Sequence, residues 1–93
     1  MTRIIYLFKN INTRYEAEEH AWEHYPDMNP HMRSINCFRA DGKDKTVEIR
    51  SINSATGLKG LKADMLYVPE NLGVDIGELL IIVRGDSTKI SYY

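Results

Sequence analysis

Five consecutive apolar residues, Ile4-Ile5-Tyr6-Leu7-Phe8, stand near the start of the chain and constrain its fold more than any other feature. A strand with one wet face alternates apolar and polar side chains, whereas an unbroken apolar run suits a strand covered on both faces. The simplest way to cover it is a layered arrangement of helix and sheet. A chain of 93 residues is one domain, residues 1–93, and can build one core without staples.

The run ends at Lys9-Asn10-Ile11-Asn12, a polar break. Thr13-Arg14-Tyr15-Glu16 then reads as a capping box, with Thr13 at the N-cap and Glu16 three residues on. The spacing predicts a helix over 13–25, stopped by Pro26. Tyr15, Ala17, Ala21, Trp22 and Tyr25 fall within an arc of about 160° and form its expected buried side. Pro26-Asp27-Met28-Asn29-Pro30 reads as a turn-rich connection. Alternation over 34–40 and 45–52, with a reversal at Asp41-Gly42, predicts an antiparallel hairpin with one wet face. Residues 53–62 read as a loop. Asp64–Val68, Leu79–Val83 and Thr88–Tyr92 read as further strands. The expected order is β-α-β-β-loop-β-β-β: an α/β (or α+β) domain with a mixed sheet of about five or six short strands and one main amphipathic helix.

Composition narrows the function classes. Hydrophobic residues are 43% of the chain, charged residues 27% and the net charge −1. No cluster of like charges stands out, which argues against non-specific nucleic-acid binding. The single cysteine, Cys37, excludes a disulfide framework and a cysteine-built zinc site. It alternates in phase with Ile35 and reads as a structural thiol. No apolar run approaches the roughly 20 residues of a membrane-spanning helix. Met1–Phe8 is too short for a signal peptide. A cytoplasmic protein of a reducing compartment is expected, in the host cell if the protein is viral.

Three short patterns bear on chemistry. His20-Ala21-Trp22-Glu23-His24 matches the His-x-x-Glu-His arrangement of inverted zincins. His20 and His24, one turn apart, could share a zinc, with Glu23 as base toward bound water. A catalytic zinc needs a third protein ligand, and no downstream helix offers one. Gly57-Leu58-Lys59-Gly60 resembles the Gly-x-x-Gly loop with which KH domains clamp a nucleic-acid backbone. Lys59 and Lys62, with nearby Arg50, would supply phosphate contacts. Arg84-Gly85-Asp86 is an integrin-type tripeptide, and ordinary turn chemistry accounts for it.

The stretch Ser51–Asn71 resembles a segment of viral large terminase subunits and related helicase-type ATPases. Leu58-Lys59-Gly60-Leu61-Lys62-Ala63-Asp64 stands for their loop, and Met65-Leu66-Tyr67-Val68 for the Walker B strand. The resemblance implies an ATPase-like unit, with Glu70 at the position of the catalytic carboxylate. The chain departs from that pattern at two places. It has no Gly-x-x-x-x-Gly-Lys-Ser/Thr phosphate loop, and Pro69 replaces the magnesium-orienting Asp.

The expected function is therefore that of a small non-enzymatic protein, viral or phage-like, acting by macromolecular binding, with no catalytic set and no cofactor. A protein partner is expected, and edge-to-edge homodimerisation is open. The alternative is nucleic-acid association through Arg50, Lys59 and Lys62. A weaker alternative is a metal-dependent activity at His20, Glu23 and His24.

Overall fold

A computed structural model describes residues 1–34, 37–52, 58 and 60–93, leaving aside the Met32 side chain. The chain forms β1 (Thr2–Phe8), α1 (Ile11–His24), β2 (Asn29–Arg33), β3 (Cys37–Gly42), β4 (Lys45–Ser51), β5 (Met65–Val68), α2 (Ile76–Ile82) and β6 (Ile90–Tyr92). The six strands make one mixed sheet in the order β2-β3-β4-β1-β5-β6. β1 is parallel to both β4 and β5, and β6 is parallel to β5. The β3–β4 hairpin and edge strand β2 add the antiparallel part. The expected α/β class and mixed sheet of about six strands are what the chain adopts.

β1 lies inside the sheet with a layer on each side. Ile4, Tyr6 and Phe8 join the core under α1, with Ala17, Ala21, Phe38, Val47 and Ile49. Ile5 and Leu7 join the opposite core, with Leu66, Val68, Leu79 and Ile82. The unbroken apolar run thus follows from burial on both faces.

Four expectations change. α1 starts at Ile11, not Thr13, because Asn10 is the N-cap. Its Oδ1 accepts from the Thr13 backbone N–H at 3.0 Å, and Thr13 Oγ1 accepts from the Asn10 N–H at 2.9 Å. Thr13 therefore fills the N3 place of the box rather than its N-cap. The helix ends at His24, with Tyr25 as C-cap.

The inward side of α1 also differs. Arg14, Ala17 and Ala21 are its buried residues, while Tyr15 remains 60% exposed. Alanines let the helix approach the sheet closely; Tyr25 still packs against the same core, whereas Tyr15 is carried outward.

Leu79–Val83 is not a strand. Leu79–Ile82 ends α2 and Val83 is its C-cap; Leu79, Ile82 and Val83 are buried at i, i+3 and i+4. Asp75 caps this helix through the Gly77 N–H at 3.1 Å. An apolar run this short fits either period, so only the cap distinguishes the two.

The turn-rich Pro26–Pro30 segment ends in an unexpected strand, β2. Pro30 sits on this edge strand beside a register shift between Pro30 and Met32, the place where a residue without an N–H is tolerated. β3 begins at Cys37. Ser34 accepts the Cys37 N–H through Oγ at 3.1 Å, and Ile35 and Asn36 lie outside the described residues. Among the described residues no helix is long and apolar enough to cross a membrane.

Candidate functional site

The inner flank of α1 carries a polar aromatic cluster. The Tyr6 hydroxyl lies 2.6 Å from His20 Nδ1. Tyr6 stacks on Tyr67 with ring centroids 4.4 Å apart. His20 stacks on His24 at 3.9 Å. Tyr93 closes the cluster, donating its hydroxyl to the Leu7 carbonyl at 2.5 Å. β1, β5 and the residue after β6 thus present three phenols to one helix. Burial pushes the Tyr6 phenol far up, with further upward pushes from Tyr67, Tyr25 and Tyr93. Burial, and then the neighbouring His24, hold His20 below the ordinary histidine value, while Glu23 acts in the opposite direction.

These contacts bear on His20 and His24 as metal ligands. A carbonyl only accepts, so the 3.0 Å contact of His24 Nδ1 with the His20 carbonyl places a proton on that nitrogen. Its Nε2 is left with a lone pair. His20 is in the opposite state. The buried Tyr6 hydroxyl has His20 Nδ1 as its partner and is satisfied by donating to it; that assignment puts the proton of the neutral ring on Nε2, which then cannot ligate. The two histidines are together as the spacing requires, but only His24 presents a free lone pair. Among the described residues no group of three or more His, Cys, Asp or Glu could hold a metal ion.

The three cations considered for phosphate contacts do not form one described patch. Arg50 lies on β4 directly across from Leu7 and Cys37, on the side of the sheet that α2 covers. Lys62 is on that same side, where its Nζ donates to the Ile81 carbonyl at 3.0 Å and closes the end of α2. It lies beside Asp64, whose backbone N–H bonds the Arg3 carbonyl. Arg3 is four strand residues, about 13 Å, from the level of Leu7 and Arg50. Lys59 lies outside the described residues.

Glu70 stands at the carboxyl end of β5, in a polar cleft of about 310 Å³ lined by Lys9, Asn10, Thr13, Glu16, Asn71 and Tyr93 among others. Clefts beyond the carboxyl ends of parallel strands are the usual ligand positions of α/β sheets. Here Lys9 Nζ donates to the Asn71 carbonyl at 3.2 Å. The first turn of α1 is closed by its own Asn10–Thr13 box. Two side chains therefore occupy the place where a phosphate would meet a helix N-terminus.

The Arg84-Gly85-Asp86 turn is structural. Arg84 and Gly85 have φ 57 and 83, and the Gly85 N–H bonds the Leu80 carbonyl at 2.7 Å, a helix-ending geometry. Asp86 caps the next turn through Thr88, which lowers its carboxyl below the usual range. Cys37 is half-buried, and burial pushes its thiol up.

The outer surface of α1 holds what the helix-wheel reading missed. Ile11, Tyr15 and Trp22 lie within an arc of about 40° at 100° per residue. Their exposures are 56%, 60% and 36%. Glu16, Glu19 and Glu23 are exposed on the same helix, whereas its one arginine, Arg14, is buried. Trp22 leans edge-on against Phe38 at 5.8 Å, and Glu18 is tied to Arg33 at 3.3 Å. A sequence signal existed: Arg14, Ala17 and Ala21 share i, i+3, i+7 spacing, and Asn10 as cap brings Ile11 into the helix.

No family model matches the chain, and no curated protein or solved structure matches it.

Proposed function

We propose that the chain is a protein-binding module that presents the Ile11–Tyr15–Trp22 ridge of α1 to a partner. The observation that carries this is an inversion: α1 buries Ala17 and Ala21 and leaves three large apolar side chains in line on its solvent side. Each is only partly exposed, so each forgoes a fraction of the roughly 1.5–3 kcal/mol that full burial of a large apolar side chain is worth. Exposed apolar side chains aligned on one helix side beside charged residues, with Glu18 between Tyr15 and Trp22, have the composition of an interface centre and its rim. The exposed residues Glu16, Glu19 and Glu23 flank one side of the ridge, so the matching partner surface is apolar at its centre and basic along that side.

The test is affinity capture with the wild-type chain and with an Ile11→Gln/Tyr15→Gln variant, both residues being more than half exposed. The proposal expects the variant to keep its thermal midpoint and lose the partner. Trp22 is the chain's single tryptophan, so its emission should shift to the blue as the recovered partner is titrated in. Partners recovered equally by both chains would overturn the assignment. A bound fraction consisting of nucleic acid, lost on raising salt and on Lys62→Gln, would favour phosphate contacts by Arg50, Lys59 and Lys62 instead.

A further inference from the structure

We propose that His20 is a proton-sensitive latch: neutral, it accepts the buried Tyr6 hydroxyl and holds α1 on the sheet; protonated, it strands that hydroxyl and loosens α1. The argument starts from Tyr6, which is fully buried. A buried hydroxyl must donate its hydrogen somewhere or leave a costly unmade bond. His20 Nδ1, at 2.6 Å, is its hydrogen-bond partner. The other polar groups of the cluster are committed elsewhere: Tyr93 to the Leu7 carbonyl, and Tyr67 to the Tyr25 hydroxyl at 2.8 Å. An imidazolium carries two donors and no acceptor. Protonation of His20 therefore turns Nδ1 into a donor: across the 2.6 Å contact the Tyr6 oxygen can then only accept, and its hydrogen loses the acceptor it had.

The surroundings of His20 decide how readily it takes that proton. β1 contributes Tyr6, β5 contributes Tyr67 with centroids 4.9 Å away, and Tyr93 lies at 6.3 Å. All three are uncharged as phenols. On α1, the stacked His24 ring disfavours a charge on His20, and Glu23 favours one. Glu16, one turn back, acts on Tyr93. Burial and His24 outweigh Glu23, so the folded protein holds His20 below its unfolded value of 6.5. The unfolded chain then binds the proton first. The stabilisation is complete above that value and is lost as pH falls toward the folded one. In that window the folding constant drops by roughly tenfold per pH unit. The device is independent of what the outer ridge binds, although it acts on the helix that carries the ridge.

The experiment compares wild type with His20→Asn, whose side-chain amide can accept from Tyr6 and cannot be protonated near neutral pH. Thermal midpoints are followed from pH 8 to pH 5, and the His20 imidazole is titrated by NMR. The proposal expects the wild type to lose more stability than His20→Asn over that range, and Tyr6→Phe to raise the His20 titration midpoint. Parallel pH profiles for the two chains, or a wild-type His20 that titrates at or above 6.5, would overturn it. If His20→Asn does not fold, the wild-type titration decides alone, because a depressed midpoint accompanied by loss of the Tyr6–Tyr67 ring shifts is the latch opening.

Discussion

The hydroxyls of Tyr25 and Tyr67 meet at 2.8 Å across 42 residues of sequence and fasten the C-cap of α1 to β5. Tyr67 in turn stacks on Tyr6, so one end of the helix and the sheet interior share a set of phenols. Burial holds Tyr6, Tyr25 and Tyr93 above the ordinary tyrosine value of 10.0, and for Tyr25 the Tyr67 hydrogen bond adds to it. A group raised in the folded state stabilises fully below its unfolded value and loses that contribution as pH rises above it. Stability should therefore hold to about pH 10 and fall beyond. Phenolate absorbance and far-UV circular dichroism, followed on one sample, should show these ionisations arriving together with unfolding. Full tyrosine ionisation with the helix signal intact would contradict this reading.

Arg3 and Glu48 form a second long-range tie. Arg3 donates from Nε at 3.0 Å and from a terminal nitrogen at 2.8 Å to the same Glu48 oxygen. Glu48 is largely buried, whereas the Arg3 side chain is 39% exposed. Solvent around the guanidinium weakens the pair, but removing it leaves a carboxylate in a poorly hydrated place. Arg3→Ala should cost about 1–2 kcal/mol. Glu48→Gln in the Arg3→Ala background should recover part of the loss. Urea midpoints of the four chains give the coupling directly.

The parts of the fold readable from sequence are those with one physical explanation. Ile4–Phe8 has no polar position, so a strand with both faces covered was the simple solution. Alternation of Val47 and Ile49 with Glu48 and Arg50 gave β4, but the expected wet face is not there: β4 lies between β3 and β1, and Thr46, Glu48 and Ser51 are buried as well. Leu79–Val83 was ambiguous, since period 2 and period 3.6 both fit a short apolar run, and the decisive Asp75 cap lies outside it. β2 was hidden because Pro30 signals a turn unless the strand is an edge. The inward side of α1 is legible for Ala17, Ala21 and Tyr25, which meet the core, but not for Tyr15, because a helix wheel weighs a large aromatic as buried and gives no weight to the buried Arg14. The pairing of His20 with His24 was legible from i, i+4 spacing, but the role of Tyr6 was not. That hydrogen bond joins positions 14 residues apart, and the sequence carries no register between α1 and β1.

The start of α1 offers a separate test. Asn10 and Thr13 satisfy each other's backbone N–H groups, and Thr13 Oγ1 also accepts the Lys9 N–H at 2.8 Å. Asn10→Ala should cost about 1 kcal/mol, as for other N-cap losses. Thr13→Ala should cost a similar amount. The double variant should lose less than the sum, since each residue acts through the other. Glu16→Gln should change little, because the N3 position belongs to Thr13. A Glu16→Gln loss equal to that of Asn10→Ala, read from thermal midpoints, would restore Thr13 as the cap.

Helix α1 is packed through its smallest side chains, and this sets a contrast in how it tolerates change. Ala17 is fully buried under the helix, against a core that includes Tyr6 and Phe8. Replacing it with Leu adds methylenes where the helix already rests on the sheet. Overpacking of this kind costs about 1–3 kcal/mol. Tyr15, two residues earlier, is 60% exposed. Tyr15→Gln should leave stability within about 0.5 kcal/mol, as surface substitutions do. The hydrophobic-to-polar change would thus be the silent one, and the gain of apolar volume the damaging one. Chemical denaturation of Ala17→Leu and Tyr15→Gln side by side checks this. A Tyr15→Gln loss exceeding that of Ala17→Leu would mean that the aromatic side of α1, not its alanine side, rests on the sheet.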